Sequence, residues 1–123
     1  MISIEEAEKM LDKIAEGLPQ EFFGSLNGGI VLLPDTKLHP KNRANDLYIL
    51  GEYHNNFSMG RYIVIYYGSI ERVHGHLLPD QIYRELKKVL LHEFTHHLEY
   101  LAGERGLERK DARDLARYLG DNN

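Results

Sequence analysis

The chain of 123 residues contains no cysteine, which excludes disulfide bonds and thiolate zinc sites. It has no excess of positive charge either, because its formal net charge is −4 at pH 7, and an acidic chain does not attract phosphate backbones. No apolar run is long enough to span a bilayer, and the acidic N-terminus lacks the pattern of a signal peptide. We therefore expect a cytoplasmic protein that binds neither nucleic acid nor membrane.

The composition that remains is typical of a globular protein with one core. Hydrophobic residues make up 42% of the chain and charged residues 28%. The length suits one domain, and we find no internal repeat, low-complexity segment or glycine-rich phosphate loop. We expect a single domain over residues 1–123.

The order of apolar patterns predicts helices at both ends of the chain and strands between them. Helices are expected at about 3–17, 79–103 and 107–119. Three apolar segments of strand length lie between the first two helices: "GIVLLP", "DLYILGEYH" and "RYIVIYYGSI". This order predicts an α+β fold in which a small mixed sheet carries a buried long helix, flanked by the N- and C-terminal helices.

The middle of the long helix carries an H-E-x-x-H motif. From Val89 onward apolar residues surround the helix on nearly all sides, which predicts burial. His92 and His96 are four residues apart, so they share one face and can converge on one metal ion. Glu93 lies about 100° around the helix, where it can take a proton from a metal-activated water without binding the ion. His97 lies on another face, and we expect it to pack or to support the site.

A third protein ligand is expected outside the motif, because catalytic zinc usually has three protein ligands and one open position. Asp111 is the first candidate, since it interrupts the apolar stripe of the last predicted helix. Glu104, Glu108 and Glu99 remain alternatives, although Glu99 would have to reach backwards along its own helix. The sequence thus predicts one Zn²⁺ per chain.

The segments "LYILGEYH", "IVIYYGSIERV" and "LPDQIYRELKKVLLHEFTHH", with the acidic tail after them, resemble those of the small bacterial zincin-like metallopeptidases. The resemblance covers residues from about 46 to 119. It implies a minimal zincin-like fold without a large second subdomain, and zinc held by His92, His96 and a downstream Asp that maps to Asp111. One departure is Glu99, which stands where the family usually has a glycine.

The predicted function is that of a zinc-dependent hydrolase, and specifically a metallopeptidase that cleaves a peptide or protein. Zinc would polarise the scissile carbonyl, while Glu93 would act as general base and pass the proton to the leaving amine. The segment "RYIVIYYG" is the candidate edge strand for aligning an extended peptide. His97, Tyr100 and Tyr118 are candidates for stabilising the oxyanion.

Two other classes of function are alternatives. One is a non-catalytic zinc-binding module that binds a partner, which the intact Glu93 disfavours. The other is a metal-dependent ribonuclease resembling the bacterial ribosomal-RNA-maturation endoribonucleases, which the acidic charge disfavours. Two other histidine segments have a functional and a structural interpretation. His54 either lines the site or ends a strand, and we favour the strand end. The "HGH" of His74 and His76 has a spacing typical of metal ligands, but we interpret it as a turn near a cleft.

Overall fold

A three-stranded mixed sheet, a two-stranded antiparallel sheet and three helices make up the described part of the computed structural model, which covers residues 1–41, 47–104 and 117. In chain order the elements are α1 (Ile4–Glu16), a 3-10 turn (Gln20–Phe22), β1 (Gly29–Leu33), β2 (Lys37–Leu38), β3 (Tyr48–Ile49), β4 (Gly51–Asn56), β5 (Gly60–Tyr66), α2 (Tyr67–His74) and α3 (Pro79–Glu104). The predicted α+β class is confirmed. The predicted last helix lies outside the described residues, except for residue 117.

The first helix begins at the predicted capping box. The Ser3 hydroxyl accepts a hydrogen bond from the Glu6 backbone N–H, and the Glu6 carboxylate accepts one from the Ser3 N–H, each at 3.1 Å. Ala7, Leu11 and Ile14 lie on one face and are buried. These contacts dock α1 onto the core beside α3.

The main sheet has the strand order β1-β5-β4, so β5 is its central strand. β1 pairs with β5 in parallel, and β4 pairs with β5 in antiparallel orientation. Ile63 and Ile65 of β5 are fully buried in the core that the helices complete. The prediction that "RYIVIYYG" is an edge strand is therefore wrong, because both of its edges are already paired. The outer strands on its two sides are β1 and β4.

A tight hairpin joins β4 to β5. Gly60 has a φ of 76°, which L residues with side chains rarely adopt, and an added Cβ would clash with the Asn27 side chain. A glycine in this conformation at the end of a three-residue loop is a frequent hairpin device. The turn fixes the register of β4 along β5.

The third predicted strand ends earlier than its sequence suggests. Tyr67 and Ile70 continue the aromatic and β-branched pattern, with Gly68 and Ser69 between them, yet all four residues form the first turn of α2. Gly68 lies so close to the preceding segment that an added Cβ would be 2.7 Å from the Pro34 carbonyl oxygen. Ser69 is buried, and its hydroxyl accepts a hydrogen bond from the Lys37 N–H. Gly68 and Ser69 have no preference for a strand, and their tertiary contacts hold this segment in the helical turn.

The long helix α3 matches its predicted bounds, but it is not buried on all sides. Leu90, Phe94 and Leu98 are fully buried, whereas Lys88, His92 and other polar residues form an exposed stripe along the helix. The prediction of all-round burial was wrong because polar residues recur about every four positions on one face, from Arg84 to Glu99. None of the helices within the described ranges is long and apolar enough to cross a membrane.

Candidate metal centre

An open groove of about 730 Å³ lies between α3 and the outer strand β4. Its α3 wall contains all three motif residues, His92, Glu93 and His96. The same groove is lined from the strand side by Tyr53 and His54, among others. The exposed stripe of the motif helix therefore faces a concave surface.

The two motif histidines point their ring nitrogens at each other. The Nε2 atoms of His92 and His96 are 3.2 Å apart, and the two rings stand at 88°. Two nitrogens bound to one tetrahedral zinc ion at its usual bond length would lie about 3.3 Å apart. The pair therefore fits two adjacent ligands of one ion. For this contact to be a hydrogen bond, the Nε2 of one ring carries the proton and donates to the Nε2 of the other.

A third ligand does not emerge from the side chains that the structure describes. Among them, no group of three His, Asp or Glu residues is placed to hold one ion. Glu99 lines the groove on the exposed side of α3, but it does not join the two histidines in such a group. Asp111, Glu108 and the side chain of Glu104 lie outside the described residues. The predicted third ligand thus stays a prediction.

Glu93 is buried beside the two histidines at the wall of the groove. Only 7% of its surface is exposed, although its neighbours His92 and His96 are open to the groove. Burial raises the pKa of the Glu93 carboxyl, and the two imidazoles partly oppose that shift. A carboxylate with a raised pKa is a stronger base near neutral pH. Its position beside the histidine pair is the one that the helical spacing predicts.

The adjacent His97 faces the opposite way and connects α3 to two other elements. Its Nε2 lies 3.0 Å from the Phe22 carbonyl oxygen, which can only accept, so Nε2 carries the proton. Its Nδ1 therefore accepts the hydrogen bond from the Tyr53 hydroxyl, at 2.7 Å. Burial lowers the pKa of the His97 imidazole and raises that of Tyr53 to about 12. His97 is thus a neutral packing residue that holds β4 against α3.

The outward edge of β4 runs beside the motif helix. Tyr66 N–H donates to the Leu50 carbonyl at 2.9 Å, which fixes the alternation of the ladder. In this alternation, the N–H and C=O groups of Glu52 and His54 point towards β5. The N–H and C=O groups of Gly51, Tyr53 and Asn55 point away from the sheet. Within the main sheet as described, no strand pairs with this side of β4.

A polar cluster centred on Glu52 borders the groove on the strand side. Lys37 Nζ donates to both Glu52 carboxylate oxygens at 2.9 Å, and the Tyr66 hydroxyl donates at 2.5 Å. His54 Nε2 lies 3.2 Å from the same carboxylate, and its ring stacks on Tyr62 at 4.9 Å. Sequence reasoning did not identify this cluster, because its members come from three strands. In the sequence, only the alternation of Glu52 and His54 in "GEYH" indicated that two polar side chains lie on one face of this strand.

Of the other residues identified from the sequence, some line the groove and some lie outside it. Tyr100 and His54 line the groove. The prediction that His54 ends a strand is wrong, because β4 continues to Asn56. His74 is the last residue of α2 and lies 3.7 Å from the Glu85 carboxylate. His76 follows in the turn before α3 and does not line the groove. Tyr118 lies outside the described residues.

Comparison with known proteins gives a fold and no activity. No protein-family model matches this chain, and no curated protein matches it. Among solved structures, a conserved hypothetical protein from Thermus thermophilus is similar, with a TM-score of 0.72 and 29% sequence identity. The match covers 84% of this chain and 100% of that one. The likeness supports a shared fold, and the neighbour's description carries no function.

Proposed function

We propose that this protein is a zinc-dependent hydrolase, and specifically a metallopeptidase with a zincin-like fold. The observation that carries the proposal is the convergence of the His92 and His96 Nε2 atoms, 3.2 Å apart, next to the buried carboxylate of Glu93. A structural core histidine has a protein hydrogen-bond partner at each ring nitrogen, and His97 illustrates that case. Two exposed imidazoles aimed at one point in a groove have the arrangement of a chelating pair.

Each motif residue has a distinct role in the proposed reaction. His92 and His96 hold the ion, and Asp111 is the proposed third ligand, with Glu99, Glu104 and Glu108 as alternatives. A bound zinc ion supplies Lewis-acid polarisation of the scissile carbonyl and activation of a water molecule. Glu93 accepts the proton of that water on its carboxylate and then delivers it to the leaving amine.

The strand side of the groove favours a peptide substrate over other hydrolase substrates. The outward N–H and C=O groups of Gly51, Tyr53 and Asn55 can pair with the main chain of an extended peptide. Such pairing would lay the peptide along α3, across the motif residues. The same edge offers no cluster of Lys or Arg for a phosphate backbone, since no described Lys or Arg lines the groove.

The zinc pair is tested by elemental analysis of the purified protein after dialysis against trace zinc. Wild type should hold one zinc per chain, whereas His92→Ala and His96→Ala should each lose stoichiometric zinc. His76→Ala is the matched control, since His76 is exposed outside the groove. Full zinc content in the His96→Ala protein would exclude the proposed pair.

The third ligand is tested in the same assay by two aspartates of the tail. Asp111→Ala should weaken zinc affinity far more than Asp114→Ala, because loss of one of three ligands removes a coordinate bond. Equal affinities of the two variants would contradict the assignment to Asp111. Glu104→Ala, Glu108→Ala and Glu99→Ala would then identify the ligand.

A further inference from the structure

The outer strand β1 has a free edge, on the opposite side of the main sheet from β4 and the candidate metal centre. Within the described part of the chain, no strand pairs with this edge. The five residues of β1, "GIVLL", are all half-buried and include neither a charged residue nor a proline. Edge strands that stay unpaired often carry such residues, because they hinder pairing with another chain. The edge of β1 is therefore suited to receive an added strand.

The main-chain groups of Ile30 and Leu32 lie on this free edge. The Gly28 N–H donates to the Arg61 carbonyl oxygen at 2.8 Å, so the main-chain groups of Arg61 point towards β1. Those of Ile63, two residues further along β5, point the same way. In a parallel pair, such a residue bonds to the two neighbours of its partner, which is Ile30 here. The N–H and C=O groups of Ile30 and Leu32 therefore point away from the sheet.

A small pocket between α1 and β1 lies next to the same two residues. Its volume of about 140 Å³ is below the roughly 300–1,000 Å³ of small-ligand sites, so it has room for about one side chain. Leu11, Ile30 and Leu32 give it an aliphatic lining, which the exposed residues Glu8 and Asp12 complete. An added strand on β1 would present alternate side chains to the face of the sheet that α1 covers.

The charge at this pocket favours a cationic side chain. Glu8 and Asp12 are four residues apart, so they lie on one face of α1. Among the described side chains, no Lys, Arg or His forms an ion pair with either carboxylate. A Lys or Arg side chain matches both parts of the lining, because its methylene groups can cover the aliphatic residues while its charged end meets the carboxylates.

The same charge disfavours a second copy of this chain as the added strand. Antiparallel pairing of two β1 strands about a two-fold axis would place both α1 helices on one face of the joined sheet. Glu8 and Asp12 of one copy would then approach the same residues of the other, and like charges repel.

We propose that the β1 site, formed by the free edge of β1 and the pocket of Glu8, Leu11, Asp12, Ile30 and Leu32, binds an extended basic segment of a partner protein. The segment pairs with the main chain of Ile30 and Leu32 as an added strand, and one of its Lys or Arg side chains enters the pocket. The pocket shares no residue with the groove of the metal centre. The proposal therefore goes beyond the proposed peptidase function and does not depend on it.

Binding of model peptides to the full chain tests the β1 site. The probes are short acetylated peptide amides of alternating threonine and valine, with Lys, norleucine or Glu at the centre. The Lys peptide should shift the methyl signals of Leu11, Ile30 and Leu32, and it should bind about three- to tenfold more tightly than the norleucine peptide. The Glu peptide should bind most weakly. Added salt should reduce the preference for Lys, because the carboxylates are exposed.

Removing the two carboxylates tests their part in this preference. Glu8→Gln combined with Asp12→Asn keeps the size of both side chains without their charge, so the preference for the Lys peptide over the norleucine peptide should disappear. Glu5→Gln combined with Glu16→Gln is the matched control, since it removes the same charge from exposed positions of α1 outside the pocket. An unchanged preference in the first variant, or an equal loss in the control, would overturn the proposal.

Other outcomes would assign the edge of β1 differently and would also overturn the proposal. Peptide-induced shifts confined to Ile49 and Val89 would place the binding at β4. Methyl contacts of Leu32 with Leu107 or Leu115 would mean that the chain fills the pocket itself. Self-association that protects the outward N–H groups of β1 without peptide would identify a second copy as the occupant. These measurements require neither zinc nor cleavage, so failure of the proposed function leaves the β1 site unaffected.

Discussion

Two neighbouring side chains of α3, Glu93 and His97, are both buried, but only Glu93 opens onto the groove. Glu93 touches the groove of the histidine pair, and burial raises the pKa of its carboxyl. His97 is saturated by Tyr53 and by the Phe22 carbonyl, so no ring nitrogen remains for a metal or an oxyanion. His97 is therefore no longer a candidate for stabilising the oxyanion. Of the two other candidates, only Tyr100 lies among the residues that the structure describes.

Replacing Glu93 by Gln separates metal binding from proton transfer. The amide keeps the size of the side chain but cannot accept the proton, so zinc content should stay near that of wild type. Cleavage of an unbiased peptide library should fall about 10²–10⁴-fold. Glu71→Gln, on the exposed face of α2 outside the groove, is the matched control. Undiminished cleavage by Glu93→Gln would contradict the base, and an inactive wild type that holds zinc would favour the non-catalytic module.

Removing the Tyr53 hydroxyl tests the contact between β4 and α3. Tyr53→Phe leaves the buried Nδ1 of His97 without its donor, so the free energy of unfolding should fall by about 1–3 kcal/mol. Urea denaturation measures this change. Tyr62→Phe is the control, because the Tyr62 hydroxyl contacts only the exposed Asn56 amide among the described residues, at 3.4 Å. A loss as small as that of Tyr62→Phe would show that His97 finds another donor.

At the scale of elements, the groove exists because a strand edge and a helix run side by side in the same direction. Gly51 meets Val89 near the start of the contact, and Tyr53 meets His97 further along both elements. Gly51 permits the close approach, and the Tyr53–His97 bond holds it. The distance between the outward edge of β4 and the motif helix is therefore set by Gly51 and Tyr53 together with the α3 residues that they contact, Val89 and His97.

Amide hydrogen exchange should reveal the free edge of β4 residue by residue. The N–H groups of Gly51, Tyr53 and Asn55 point outward and should exchange faster than those of Glu52 and His54, which pair with β5. Addition of a binding peptide should slow the outward set selectively. Equal protection of both sets in the free protein would mean that the edge is already covered, and it would contradict the proposed pairing surface.

At the scale of the whole molecule, the Glu52 cluster joins the two sheets. Lys37 comes from the two-stranded sheet of β2 and β3, whereas Glu52 and Tyr66 belong to the main sheet. Burial acts to raise the pKa of the Glu52 carboxyl, but hydrogen bonds from Tyr66, Lys37 and His54 together bring it below the ordinary value of 4.5. The ionised carboxylate is therefore part of what holds the sheets together.

This cluster predicts a loss of stability in acid. Because the pKa of Glu52 is lower in the folded state, the unfolded chain binds more protons, and stability rises with pH. The contribution is complete above pH 4.5 and is lost as the pH falls through the folded pKa. Glu52→Gln should lower the melting temperature at pH 7 and flatten its dependence on pH below 4.5. Glu6→Gln is the control, since Gln also completes a capping box; an equal effect in both variants would contradict the assignment.

Much of the fold and part of the site follow from local patterns. The capping box at Ser3, the bounds of α3 and the shared face of His92 and His96 are consequences of helical geometry within a few residues. Residues 67–70 show the limit of such reasoning. The predicted strand includes them because Tyr67 and Ile70 extend its apolar pattern, whereas in the structure they begin α2, with Gly68 close to Pro34 and Ser69 bonded to Lys37.

The sequence by itself determined the α+β class, because apolar periodicity distinguishes helices from strands. It also determined the shared face of His92 and His96 and the place of Glu93 beside them, because these depend on the rise and turn of one helix. Only the tertiary structure decided that β5 is central and that β1 and β4 are the outer strands, since strand order depends on pairing between distant segments. It also decided that His97 bonds to the Tyr53 hydroxyl and that His92 and His96 line a groove. Those features depend on which helices and strands pack against each other, and the periodicity of residues along one element does not specify its packing partners.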